Sequence, residues 1–517
     1  MRKMMRKLAA VWCVLGLLAA VSAGAAVTVP SVIGDHMLVQ QGTRIPIWGK
    51  ADPGEQVTVT LGDDTREAVA DDAGRWLVSL PKQKAGGPLD MSISGKDGGL
   101  TVTDILVGEV WVCSGQSNMQ WTVSNSNNAE LEIAAAKYPE MRLFTVERTV
   151  ATEPQEDCAG AWSVCSPETI PNFTAVGYYF GRELHTTLGV PVGLIHTSWG
   201  GTPAESWTTQ STLESDPDFT PMLERWANLE KNYPAAKTAH DEAMAEWKAA
   251  AEKAKAEGKP EPQKPQAPTH PMHAHRPAGL YNAMIAPLVP YAIQGAIWYQ
   301  GESNAGRAYQ YRKLFPAMIE DWRREWDQGA FPFLFVQLAN WRETKADPEP
   351  SDWAELREAQ SMTLGLKNTG MAVIIDIGEA KDIHPRNKQD VGKRLALNAL
   401  ANTYGKGVAY SGPMYKSMKV KGDKVEIKFT HTDGSLVAKD GDPLKGFAIA
   451  GEDQKFVWAD AVIEGKKVIV SADGLEAPVA VRYAWEDNPI CNLYNGAGLP
   501  ASPFRTDDWP GVTVDKR

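Results

Sequence analysis

The sequence predicts an α/β protein in which a parallel-sheet unit stands between two smaller β-sandwich-like units, and three patterns along the chain predict it. From residue 26 to about 104 apolar and polar residues alternate with period two, as in Val57–Leu61, Trp76–Leu80 and Met91–Ser94, with turn residues such as Asp-Pro-Gly at short intervals. From 105 to 404 continuous apolar runs, Val110–Cys113, Val192–His196, Gly295–Tyr299, Phe333–Gln337 and Ala372–Asp376, alternate with helical segments such as Ala175–Thr187 and Gln389–Asn402. From 405 to 517 the period-two pattern returns in Val425–Phe429, Lys467–Val470 and Val479–Tyr483. Strand-helix alternation builds a parallel sheet covered on both faces, whereas half-exposed strands build sandwiches.

Residues 1–25 read as an export signal. Arg2, Lys3, Arg6 and Lys7 precede an uncharged run from Leu8 to Val21, and small residues follow at Ser22–Ala26. Trp12 stands before Cys13 where lipid attachment needs a small residue, so the mature chain is expected free in the periplasm or outside the cell. No later apolar run is long enough to span a bilayer. In an oxidising compartment Cys158 and Cys165 are the natural disulfide pair, and Cys113 reads as a buried free thiol. A net charge of −11 argues against nucleic acid or an anionic membrane as partner.

One stretch interrupts the central alternation. Residues 208–278 turn polar, with a helix expected at His240–Glu257 and a Pro- and Lys-rich flexible arm at Gly258–Pro268. His270, His273 and His275 crowd the end of this arm, but no carboxylate or cysteine joins them at ligand spacing, and no metal is expected.

The chemistry gathers at the carboxyl ends of the predicted parallel strands, where ligands of open α/β sheets bind. The run Val110–Cys113 leads into Ser114-Gly115-Gln116-Ser117-Asn118, a tight turn that exposes Ser117. A serine hydroxyl becomes a nucleophile only with a base to take its proton and donors to hold the oxyanion that forms. His384, in the polar loop Asp-Ile-His-Pro, is the candidate base, and His196, inside an apolar strand, is the runner-up. Asp382, Asp376 and Glu379 compete to orient it. The Ser117 amide, an amide of Gly200 or Gly201, and the side chain of Asn304 are candidate oxyanion donors. Gln116, Gln300 and Glu302, next to these groups in sequence, are candidate substrate contacts.

Taken in order, Gly-Gln-Ser-Asn-Met, Ser-Trp-Gly-Gly-Thr-Pro-Ala-Glu-Ser-Trp, Trp-Tyr-Gln-Gly-Glu-Ser-Asn and Asp-Ile-His-Pro resemble the motifs of SGNH hydrolases, and more narrowly of the sialate O-acetylesterase family. The words Asp35–Gln41, Gly279–Leu288 and Ala501–Phe504 extend the resemblance over nearly the whole mature chain. SGNH enzymes in general carry aspartate three residues before the histidine, where this chain has Lys381; the narrower family carries Asp-x-His, which points to Asp382. The resemblance implies a flavodoxin-like three-layer catalytic domain at 105–404. It implies a Ser117, His384 and Asp382 triad, an oxyanion hole of Ser117, Gly201 and Asn304, and removal of acetyl groups from a sugar without metal or organic cofactor. Sialic acid is the expected carrier of the acetyl group. Acetylated xylan or another plant glycan is the alternative, and an inert carbohydrate-binding protein is the alternative from a different class.

Overall fold

A computed structural model describes residues 26–441 and 443–517; the expected signal at 1–25 lies outside the described residues. The apolar run around Trp111 is the second half of one 18-residue strand, Gly98–Gly115. Its first half pairs antiparallel with Gly86–Gly95, and Leu38–Gln40 runs parallel to its middle. Its second half pairs parallel with Val192–Ser198 on one side and Gly295–Tyr299 on the other. The expected division at 104/105 therefore falls inside an unbroken strand.

Across the main sheet the order is Thr369–Ala372, Phe333–Val336, Gly295–Tyr299, Gly98–Gly115, Val192–Ser198, Tyr138–Thr145 and Trp162–Cys165. All neighbours are parallel except the last pair. The chain fills one side of the central strand first, then crosses to the other after Val192–Ser198. The point where it reverses lies beyond the carboxyl end of Gly98–Gly115, which is where Ser117 begins.

Helices cover both faces. On one, Trp111 meets Phe180 of the helix Ala175–Leu188, which starts at the capping residue Thr174 and ends at the left-handed Gly189. Lys388–Asn402 packs beside it, and Gly392 lets the two backbones approach: a Cβ there would lie 2.8 Å from the Phe180 nitrogen. On the other face Trp298 packs against Phe315 and Trp322 of Ala308–Trp326. Beyond the main sheet, Met414–Lys421, Lys424–Thr430, Lys467–Ser471 and Asp460–Glu464 form one C-terminal sheet. Val457–Trp458, Phe447–Ala450, Ala480–Tyr483 and Phe504–Arg505 form another. Arg357, wholly buried, ties them to the core by donating to the carbonyls of Leu338, Ala339, Glu486 and Asp487 at 2.6–2.9 Å.

Several expectations are corrected. The last parallel strand is Thr369–Ala372, ending before Asp376, whose carboxylate accepts two hydrogen bonds of 2.6 and 2.8 Å from Arg394. The insertion's helix runs from Thr220 to Ala256, 37 residues, since Ala, Glu and Lys continue its propensity well upstream of His240. The expected arm is folded back on it: Trp247 donates to the Pro262 carbonyl at 2.8 Å and Lys264 lies over the same indole. Cys158 and Cys165 are separate free thiols, each buried, with Cys165 held at the end of the Trp162–Cys165 edge strand. Among the described residues no helix is long and apolar enough to cross a membrane.

Candidate active site

Gly115 is where the central strand lets go. Its φ is +138°, and a Cβ there would sit 2.2 Å from the carbonyl oxygen of Tyr299 on the neighbouring strand, so only glycine fits. Gln116 still donates its N–H to that carbonyl, and Ser117–Gln120 then makes one helical turn that holds the serine at the sheet's end.

The Ser117 Oγ lies 2.8 Å from Nε2 of His384. The histidine comes from the loop before Lys388–Asn402, and Asp382 bends that loop around itself. Its Oδ1 accepts the His384 main-chain N–H at 2.8 Å and lies 3.4 Å from the ring Nδ1. Of the three competing carboxylates, Asp376 is bound to Arg394 and Glu379 accepts from the Arg386 amide, which leaves Asp382 at the imidazole. Trp121 stacks flat on the His384 ring, 5.2 Å between centroids and 14° between planes. Burial holds the His384 pKa below its ordinary value, opposed by Asp382 and reinforced by Lys388. His196 is a core residue: its Nε2 pairs with Ser198 Oγ at 2.6 Å and burial pushes it down to about 3.

Gly200 lies against the serine, with a Cβ position 3.2 Å from that of Ser117, while its N–H donates to Gln120 Oε1 at 2.7 Å. Gly201, at φ +77°, accepts from Ser303 Oγ through its carbonyl. Asn304 is buried, and its Oδ1 accepts from the Ala204 amide and from Gln300. Its Nδ2 donates once, to Glu205, which leaves a second amide hydrogen.

Gln116 and Gln300, candidate substrate contacts, are held in the interior. Both are buried: Gln116 accepts from the Ser303 amide, and Gln300 is held by Thr202, Asn304 and the Tyr311 hydroxyl, so they brace the turns from behind. Glu302 is likewise turned inward, one oxygen accepting from Asn118 at 2.6 Å and the other buried without a partner among the described residues.

Asn118 is the residue that sequence reasoning passes over. Its Nδ2 donates to Glu302 and to the Ile383 carbonyl, and its Oδ1 accepts from Nζ of Lys388 at 2.6 Å. One amide thus joins the serine turn, the 301–304 turn and the histidine loop. Lys388 is fully buried under the rings of Trp121 and Tyr299, and burial lowers its pKa to about 7 while Glu302 supports its charge. Asn118 had a signal, its place beside Ser117, whereas Lys388 looks in sequence like any helix-surface lysine.

A cavity of about 440 Å³ opens beside these groups. Gly201, Ser303 and Arg307 line it from the core, Arg225 and Trp226 from the long insertion helix, and His275 from the arm's end. Arg307 is bound to Glu205, while Arg225 makes no ion pair among the described residues, and burial and the nearby Arg307 hold its pKa down against the pull of Glu205.

The family model described as carbohydrate esterase, sialic acid-specific acetylesterase matches residues 107–244 and 271–401. The sialate O-acetylesterase of Mus musculus is 33% identical over 93% of this chain and 95% of its own. That of Homo sapiens is 31% identical over 95% of each. The chain belongs to the sialate O-acetylesterase family. It is a carboxylic ester hydrolase that removes O-acetyl groups from carbohydrate. Among solved structures a carbohydrate acetylesterase from Xanthomonas citri superposes with a TM-score of 0.79 at 38% identity, over 93% of this chain and 100% of that one. The family model's two segments leave out 245–270, the end of the long helix and the arm, so both the serine turn and the cavity-lining start of that helix fall inside the sialate O-acetylesterase match.

Proposed function

We propose that the chain is a serine esterase that removes acetyl groups from O-acetylated sialic acid. The observation that carries the mechanism is the 2.8 Å contact between Ser117 Oγ and His384 Nε2, with Asp382 at the other ring nitrogen. Ser117 attacks the acetyl carbonyl as its proton passes to Nε2, and Asp382 holds the tautomer and stabilises the imidazolium. The oxyanion is held by the amides of Ser117 and Gly201 and by the remaining amide hydrogen of Asn304; Gly200 is the weaker candidate because Gln120 already takes its N–H. Collapse returns the proton to the departing sugar hydroxyl and leaves acetyl-Ser117. Water then gives its proton to His384 and attacks the acyl group, and acetate leaves with Ser117 restored.

The sialate reading is supported by the names of the mammalian relatives and by Arg225, which lines one cavity with Gly201 and Ser303 and makes no ion pair among the described residues, suited to a sugar carboxylate. A second reading is an acetylated neutral plant glycan such as xylan, on which the same serine chemistry would act. The proposal includes the three-layer SGNH arrangement for 105–404, β units at 26–104 and 405–517, and export by the 1–25 signal. Acetate release from 9-O-acetylated sialic acid and from acetylated xylo-oligosaccharides, side by side, tests it. Preference for the sialate is expected, with Arg225→Met raising KM for the sialate about tenfold and leaving a neutral acetyl ester unaffected. Preference for the xylo-oligosaccharide overturns the sialate reading, and full turnover by Ser117→Ala overturns the mechanism.

A further inference from the structure

We infer that the cleft between loop 344–350 and the C-terminal strands is a second glycan site, built for an uncharged oligosaccharide. Two cavities of about 410 and 380 Å³ meet there and share Trp458, Glu486 and Gly446 in their walls. Trp458 is 40% exposed, and its indole N–H donates to the Ala346 carbonyl at 2.7 Å, which fixes the plane of the ring while its face stays open. Trp509 lines the larger cavity with it, propped by Phe456 at 5.6 Å.

The same lining holds a carboxyl with one unpaired oxygen. Glu486 is 5% exposed, and its Oε1 is buried without a hydrogen-bond partner among the described residues. Burial and the neighbouring Asp487 push it up to about 7, so near neutrality it both donates and accepts. The two arginines and Glu355 are committed. Arg482 and Arg505 both hold Asp507, Arg505 also holds Glu358, and Glu355 accepts from Val512 and Thr513.

These facts select the ligand class. With Arg482 and Arg505 neutralised by Asp507 and Glu358, three carboxyl groups, Glu349, Glu355 and Glu486, stand against three lysines, Lys345, Lys445 and Lys455, so the lining offers no net charge to select an ion. Among the described residues no group of three His, Cys, Asp or Glu is placed for a metal. A purely apolar ligand would leave Glu486 still unsatisfied. Sugar rings answer both demands, with C–H faces for the two indoles and hydroxyls for the carboxyl.

The cleft is joined to the candidate active site by one loop. Asn340 accepts the Gly378 amide and donates to Asn488, and Arg342 donates its amide to the Ala380 carbonyl in the histidine loop. Residues 344–350 then continue into the cleft wall. The site would hold the uncharged sugars of the glycan that bears the ester, whichever sugar carries the acetyl group.

Calorimetric titration of full-length Ser117→Ala with xylohexaose, cellohexaose and, as the anionic control, hexagalacturonate tests this. Saturable binding of at least one uncharged hexasaccharide is expected, weakened tenfold or more by adding Trp458→Ala or Glu486→Leu, with the galacturonate at least tenfold weaker throughout. In the chain with Ser117 intact, the same two substitutions should leave 4-nitrophenyl acetate turnover unchanged, which separates a lost site from a lost fold and from a failed mechanism. Absence of binding by both uncharged sugars, binding unmoved by Trp458→Ala, or tighter binding of the galacturonate would each overturn the inference.

Discussion

Two glycines flank the reacting serine, and exchanging each for alanine separates its placement from its surroundings. At Gly115 the new Cβ would lie 2.2, 2.8 and 2.9 Å from the oxygen, carbon and nitrogen of Tyr299, backbone atoms of a central strand that has nowhere to go. Left-handed strain of about 1–2 kcal/mol adds to overpacking of about 1–3, so a loss of roughly 2–5 kcal/mol is expected. If the chain yields instead by moving the turn, a displacement of about 1 Å at Ser117 costs on the order of a hundredfold in turnover. At Gly200 the nearest atoms are the Ser117 Cβ at 3.2 Å and Gln120 Oε1 at 3.3 Å, and the glutamine can swing aside. Gly200→Ala should therefore change stability by less than about 1 kcal/mol yet crowd the serine and reduce kcat about tenfold or more. Urea unfolding and acetate release on both variants provide the readout. Wild-type stability and turnover in Gly115→Ala would refute the account of how the strand ends, and wild-type turnover in Gly200→Ala would refute its place at the reacting face.

Asp382→Asn should lower kcat by about 10⁴ with little loss of stability. Asp376→Asn should do the reverse, costing about 3–5 kcal/mol by stranding buried Arg394 while the folded fraction keeps its turnover; unfolding curves beside kcat distinguish them. Lys388→Met should move the acid limb of kcat/KM to higher pH. Only neutral His384 can take the serine proton, and Lys388 now helps hold the His384 pKa down, so removing that charge raises it. A limb that stays in place, followed across pH, would show that Lys388 acts through packing alone. Arg357→Met leaves four buried carbonyls without their donor and should cost about 3–5 kcal/mol, read by denaturant midpoint.

The serine turn and the histidine loop were legible in the sequence because parallel strands end in turns on one edge, and apolar runs followed by Gly, Ser and Asn mark those edges. Gly295–Tyr299 was readable to the residue for the same reason. Tyr138–Thr145 was not: Arg142 sits in its middle, buried beside Asp104, and breaks the apolar run that would announce a central strand. Spacing put Asp382 nearest to His384 but left Asp376 and Glu379 in competition, since the choice among them depends on Arg394 and the Arg386 amide, partners that only the fold brings near. The inward turn of Gln116 and Gln300 was hidden likewise, because a polar residue next to a motif looks the same whether it faces substrate or braces the backbone behind it.

The strand Gly98–Gly115 belongs to two sheets at once, and this governs what a minimal fragment of the protein can be. Cutting at 105 would sever the strand that launches the serine and strip its first half from Gly86–Gly95 and Leu38–Gln40. The N-terminal β region is thus not cargo that a shorter relative could shed. It shares one folding unit with the nucleophile turn, so slow amide exchange should extend without a step from Met91 through Ser114, and a fragment lacking residues 26–97 should fail to assemble the ester-cleaving centre, even though it retains Ser117, Asp382 and His384.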